Sequence, residues 1–202
     1  MKKILFLFVM VLFLTIGCKQ IVIWKYGIRS PRNETPESII AFAKKQGQSP
    51  ENIYMFRDSV SYLKFMKDSI YKRSCFSAIV FNEKGFLVNY KDSAGCQWSA
   101  AGYIAKLKKD TIYRTDESHL ISSVIPSLIP VTGSASPDLH AQGFDYTVVF
   151  TWAKYIGKLN DRLFCINEIA KNNPYARLRV ISLNVDMQKS WCLRDDQKTK
   201  LN

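Results

Sequence analysis

Histidine is scarce in this chain, with 2 among 202 residues, and acid is short, since 17 Asp and Glu face 29 Lys and Arg for a net charge of +12. Neither His119 nor His140 lies in an HExxH or zinc-type arrangement. None of the 5 cysteines is spaced CxxC from another, and the 9 glycines form no phosphate-cradling loop. The basic surplus contains no run of five Lys or Arg and no aromatic-interleaved basic repeat, so it gives no reason to expect a nucleic-acid partner. Lys106, Lys108 and Lys109 read as the wet face of a helix. The longest apolar run, Ile4 to Ile16, would span about 20 Å as a helix against a hydrocarbon core of about 30 Å, too short for a permanent membrane crossing. There is no tandem repeat and no low-complexity tract. What is present, 47% hydrophobic and 23% charged residues, has the balance of an ordinary folded domain with a sizeable core.

The N-terminus has the three-part form of a bacterial export signal: Met1-Lys2-Lys3, the apolar run, then Gly17-Cys18. Its end, Leu14-Thr15-Ile16-Gly17-Cys18, resembles the lipobox of bacterial lipoproteins, with Thr15 standing where Leu is usual. That resemblance implies a signal peptide over 1–17, a lipid (palmitate) on Cys18, and a tether over 18–34. The other reading is a simple signal peptide whose cysteine pairs later. No acidic residue follows the cysteine at Lys19-Gln20, which implies the outer membrane within the cell envelope. The partners expected are the membrane, through the N-terminal lipid, and a protein or peptide that the sequence does not identify. An exported chain also meets an oxidising environment, which makes disulfides plausible.

The folded part is expected from Thr35. Thr35-Pro36-Glu37-Ser38 supplies an N-cap, a proline in the first turn and an acid beside it, with Ile39, Ile40 and Ala43 on one face up to Gly47. Residues 52–56 read as a strand. Ser59 is expected to cap a second helix to about Lys67 with Val60, Leu63 and Met66 inward. Ala78 to Phe81 and Phe86 to Tyr90 flank Asn82-Glu83-Lys84-Gly85 and read as a β-hairpin. Trp98, Ala101, Ala105 and Leu107 are at near-helical spacing, and a further helix is expected from Thr115 to before Pro126. Residues 131–143 read as a loop. A βαβ unit follows, with strand 146–151, a helix from about Gly157 to Asn172 carrying Leu159, Leu163, Ile166 and Ala170 inward, and strand 178–185.

The segment Tyr146-Thr147-Val148-Val149-Phe150-Thr151-Trp152-Ala153-Lys154-Tyr155-Ile156-Gly157-Lys158-Leu159 resembles the active-site segment of thioredoxin-like proteins, especially the membrane-tethered TlpA type. Arg179 to Asp186 resembles their following strand. In that family two redox cysteines flank a Gly-Pro pair. Here Ile156 and Leu159 stand in those places with Gly157-Lys158 between them, so the resemblance implies a degenerate site of Trp152, Ala153, Tyr155, Ile156, Gly157 and Leu159. A thiolate must attack a disulfide and a second thiol must resolve it, and Ile and Leu do neither. The buried acid that often lies two residues before the family's Trp is Phe150 here. Trp152 and Tyr155 are also explained by packing of the strand-helix corner. The earlier strand, helix, hairpin and helix resemble the second half of a thioredoxin domain but precede the βαβ unit. One reading is a circularly permuted sheet of about five strands. The other is an N-terminal subdomain that shares the hairpin. The family's cis-proline would fall at Phe76.

The fold class expected is therefore α/β, a thioredoxin-like central sheet flanked by helices, with a half over 35–130 and a βαβ half over 144–202 in one domain of 35–202. Cys75 and Cys96 sit at the open end of the hairpin, where a disulfide would add about 3 kcal/mol by constraining the unfolded chain. Cys165 reads as a small buried helix residue that Cys192 could reach, and His119 as a polar surface residue of a helix. No cofactor or metal is implied. The function expected is a binding or structural module without catalytic residues. The alternative is a thiol-disulfide oxidoreductase or thiol peroxidase using Cys75 with Cys96.

Overall fold

The computed structural model of the chain describes residues 20–21, 23–68, 71, 76–89, 100–133 and 143–191. Among the described residues, the last two strands lie at the middle of the sheet. β6 (Tyr146–Trp152) and β7 (Leu178–Asn184) run parallel over seven residue pairs, from Tyr146 with Leu178 to Trp152 with Asn184. β6 is an unbroken β-branched and aromatic run, the composition of a strand covered on both faces. Its alternate residues go to opposite sides: Tyr146, Val148, Phe150 and Trp152 enter one core, while Val149, like Ala153 just past the strand, enters the other.

On one side of these two strands comes the hairpin of β2 (Ala78–Asn82) and β3 (Phe86–Val88), with β2 antiparallel to β6. The hairpin turns where the sequence suggests: Gly85 takes φ +83°, and the Phe86 N–H donates to the Asn82 side chain at 2.9 Å. On the other side β1 (Ile53–Phe56) lies parallel to β7, and β5 (Leu128–Pro130) is antiparallel to β1 at the edge. β4 (Thr115–Leu120) forms the far edge, giving one seven-stranded mixed sheet in the order β4-β3-β2-β6-β7-β1-β5. Seven strands replace the five expected.

Helices cover both faces. α1 (Pro36–Lys45) begins in a capping box between Thr35 and Ser38 and buries Ile39 and Ala43. α3 (Ala100–Ile104) and α4 (Asn160–Lys171) lie on the same face as α1, and α4 buries Leu163, Phe164, Ile166 and Ala170. α2 (Ser59–Lys67) covers the opposite face.

Three expectations are corrected. In α2 the cap is Asp58, whose carboxylate accepts from the Ser61 N–H at 2.8 Å; Tyr62 and Phe65 are its buried residues, and Leu63 and Met66 pack half-buried against the same core as expected. Val60 is 74% exposed, because a cap one residue earlier and the aromatic pair set the helix phase. The helix expected from Thr115 is the strand β4, held by pairing with β3 across an irregularity at Phe86/Leu87; a long-range ladder outweighs the local capping signal of Thr115. The helix expected from Gly157 starts at Asn160, after a 3-10 stretch over Lys154–Leu159 that is broken at Gly157. No helix among the described residues is long and apolar enough to cross a membrane.

Candidate functional site

The corner where β6 and β7 end carries most of the residues singled out from the sequence, at the carboxyl end of parallel strands where open α/β sheets tend to hold ligands. Trp152 is wholly buried: its indole N–H donates to Ser182 Oγ at 2.9 Å, Phe42 stacks on it at 5.9 Å, and Phe164 meets it edge-on at 5.1 Å. The packing explanation for Trp152 is the one the contacts support. The Ala153 carbonyl accepts from the buried Asn160 side chain at 2.9 Å, which ties the corner to the first turn of α4. Tyr155 is half-buried with its ring edge-on to Phe76 at 5.7 Å.

Ile156 is buried and Leu159 half-buried, and both line an apolar groove of about 630 Å³ with Phe76, Ser77, Ala101 and Cys165. Two features of the groove go beyond hydrophobic packing. The Ser77 hydroxyl is buried and makes no hydrogen bond. Phe76 is the one non-glycine residue with positive φ, +60°, among those described, a conformation costing a bulky side chain about 1–3 kcal/mol. Its N–H donates to Thr151 Oγ1 at 2.7 Å, which fixes it against β6. No cis peptide bond occurs among the described residues.

Cys165 is exposed, contrary to the buried position expected, because the helix phase that turns Leu163, Phe164 and Ile166 inward leaves position 165 outside. Desolvation at the groove raises its thiol pKa, the opposite of what activates a nucleophile. Cys18, Cys75, Cys96, Cys192 and His140 lie outside the described residues, and so does the Cys75 to Cys96 pairing.

Phe150 is buried in the apolar core, yet the corner does hold a buried acid that sequence reasoning missed. Asp186, two residues past β7 and 1% exposed, accepts from the Lys154 N–H and from the Asn184 side chain, both at 2.8 Å. Burial raises its carboxyl pKa to about 6; Glu34 pushes the same way, and the two hydrogen bonds and the Lys154 charge oppose it. The Gln188 amide donates to the Asp186 carbonyl at 2.9 Å, while Asn160 Oδ1 and Gln188 Oε1 are buried without partners. The available signal was the polar alternation Asn184, Asp186, Gln188 directly after an apolar strand.

The expected tether also reaches this corner. The Arg29 N–H donates to the Tyr155 carbonyl at 2.8 Å, Glu34 bridges Gln188, and the Glu34 carboxylate pairs with Lys154 Nζ. Gly157, at φ +58°, lies so close that a Cβ there would stand 2.2 Å from the Tyr26 carbonyl oxygen.

His119 is on β4, an edge strand, and not on a helix. Its Nδ1 approaches both Ser118 Oγ (2.8 Å) and Asp116 Oδ2 (3.1 Å), and its Nε2 faces Asp68 at 3.7 Å. Serine and acid compete for one ring nitrogen, so the three do not form a nucleophile-base-acid relay. No cluster of three potential metal-ligating side chains exists among the described residues. No protein-family model matches the chain, and no match to it is found among curated proteins or solved structures.

Proposed function

We propose that this chain is a lipid-anchored protein of the bacterial cell envelope whose domain is a circularly permuted, thioredoxin-like module that binds a protein or peptide and performs no dithiol chemistry. The observation that carries the reading is the apolar groove: Ile156 and Leu159, in the family's cysteine places, line it together with an unpaired buried hydroxyl at Ser77. An apolar cleft with one unsatisfied polar group has the make-up of a binding site. The permuted reading requires the early hairpin to join the later βαβ unit in one sheet, and it is supported by β2 pairing with β6 from Ala78–Phe150 to Asn82–Tyr146.

Two measurements on the full chain test this. Insulin disulfides are expected to remain intact in its presence, and Cys75→Ser to behave like the parent. A photocrosslinking residue at Arg162, on the groove wall, is expected to give one discrete adduct in the native envelope, while the same residue at Lys171 at the far end of α4 gives none. Insulin reduction that Cys75→Ser abolishes would replace the binding reading with the oxidoreductase one. Absence of an adduct at Arg162 would remove the groove as the contact surface.

A further inference from the structure

We propose that Ile21 and residues 23–32 form a second interaction surface, a membrane-interfacial contact for anionic phospholipid, docked on the 154–157 corner so that this corner faces the bilayer. The surface is read from these residues alone and stands whether or not Cys18 carries lipid.

The segment divides by face. Residues 23–26 are helical, and Ile21 and Trp24, three positions apart, share a side that the body of the protein leaves open: Trp24 is 86% exposed and Ile21 60%. Ile23 and Tyr26, also three apart, are half-buried on the other side, and the Tyr26 and Gly27 carbonyls abut Gly157. An indole almost wholly in water is costly in a soluble surface and suited to the headgroup region, where its apolar ring and N–H are both satisfied.

The charge on the segment itself is of one sign. Lys25, Arg29 and Arg32 are exposed on the segment, and Lys158 is exposed on the turn beneath it. Between Gln20 and Asn33 no acidic residue offsets them, and Glu34, the first acid, is occupied by Lys154. An aromatic anchor ringed by cations is the complement of an anionic lipid surface. Position 18, where the proposed lipid would be attached, is six residues before Trp24, about 20 Å even if fully extended, so an anchor there would deliver this surface to the same interface.

The test places the full chain in vesicles of brominated phosphatidylcholine with or without phosphatidylglycerol and reads tryptophan fluorescence. With phosphatidylglycerol present, bromine-dependent quenching is expected, and Trp24→Phe is expected to remove more than half of it. Replacing Lys25, Arg29 and Arg32 together by Gln is expected to weaken quenching several-fold in the anionic vesicles and leave the weaker zwitterionic signal unchanged. Quenching indifferent to Trp24→Phe overturns the proposal, because the segment then does not enter the interface. Quenching lost with Trp24→Phe but equal in both lipids, and unmoved by the charge changes, overturns the anionic specificity. Neither result touches the insulin or crosslinking measurements, so this surface and the groove fail separately.

Discussion

At the scale of single residues, Asp186 is where environment most changes chemistry. Its folded-state pKa, about 6, lies above the ordinary carboxylate value, so folding favours the neutral form. Its contribution is then fully present below about pH 4 and lost as the pH rises through about 6. Asp186→Asn keeps the shape of the neutral acid and removes that titration. The stability of the variant relative to wild type is expected to rise by about 2–3 kcal/mol between about pH 4 and pH 7.5, read from urea midpoints across that window. Parallel curves for the two proteins would show that Asp186 titrates normally. Ile156 and Leu159 could be singled out in the sequence because the turn they flank is contiguous in the chain. Asp186 could not, because the N–H that gives its carboxylate a role belongs to Lys154, 32 positions earlier, and only the pairing of β6 with β7 brings them together.

At the scale of elements, the contact between the 26–29 stretch and the 154–157 turn depends on a missing side chain. Alanine at Gly157 would have to take φ +58° and place its Cβ inside the Tyr26 carbonyl. Gly157→Ala is expected to destabilise the protein by at least about 1 kcal/mol and to release the stretch, so that the Arg29 amide, which donates to Tyr155, exchanges with deuterium far faster than in wild type. An Arg29 amide equally protected in both would show that the contact survives by another geometry. Elements with local signatures were legible: the Thr35 capping box, the Gly85 hairpin, and the βαβ unit with its continuous apolar strand. β4 was not, since Thr115-Asp116-Glu117-Ser118 reads as a helix start and becomes a strand only because β3 needs a neighbour. β5, three residues ending in proline, has too little pattern to announce itself and owes its existence to β1.

At the scale of the whole molecule, β6 joins everything. It pairs with β2 from the first half and β7 from the second, and its alternate residues feed both cores. Urea unfolding is therefore expected to be one transition, with far-ultraviolet circular dichroism and the fluorescence of buried Trp152 changing together. Two separated transitions would show instead that 35–130 and 144–202 are independent units. Apart from β4 and β5 the helices and strands could largely be read from the sequence, but the order β4-β3-β2-β6-β7-β1-β5 could not, because nothing near Ile53 signals that its neighbour is Ser182. That order also governs timing. Because the two middle strands follow the other five, β2 can pair early with β3 and β1 with β5, but these two groups cannot join into one sheet until β6 and β7 have been made. Contacts of such long sequence separation form slowly. An exported chain, as proposed above, would gain from that delay, since the strand order itself postpones closure of the sheet.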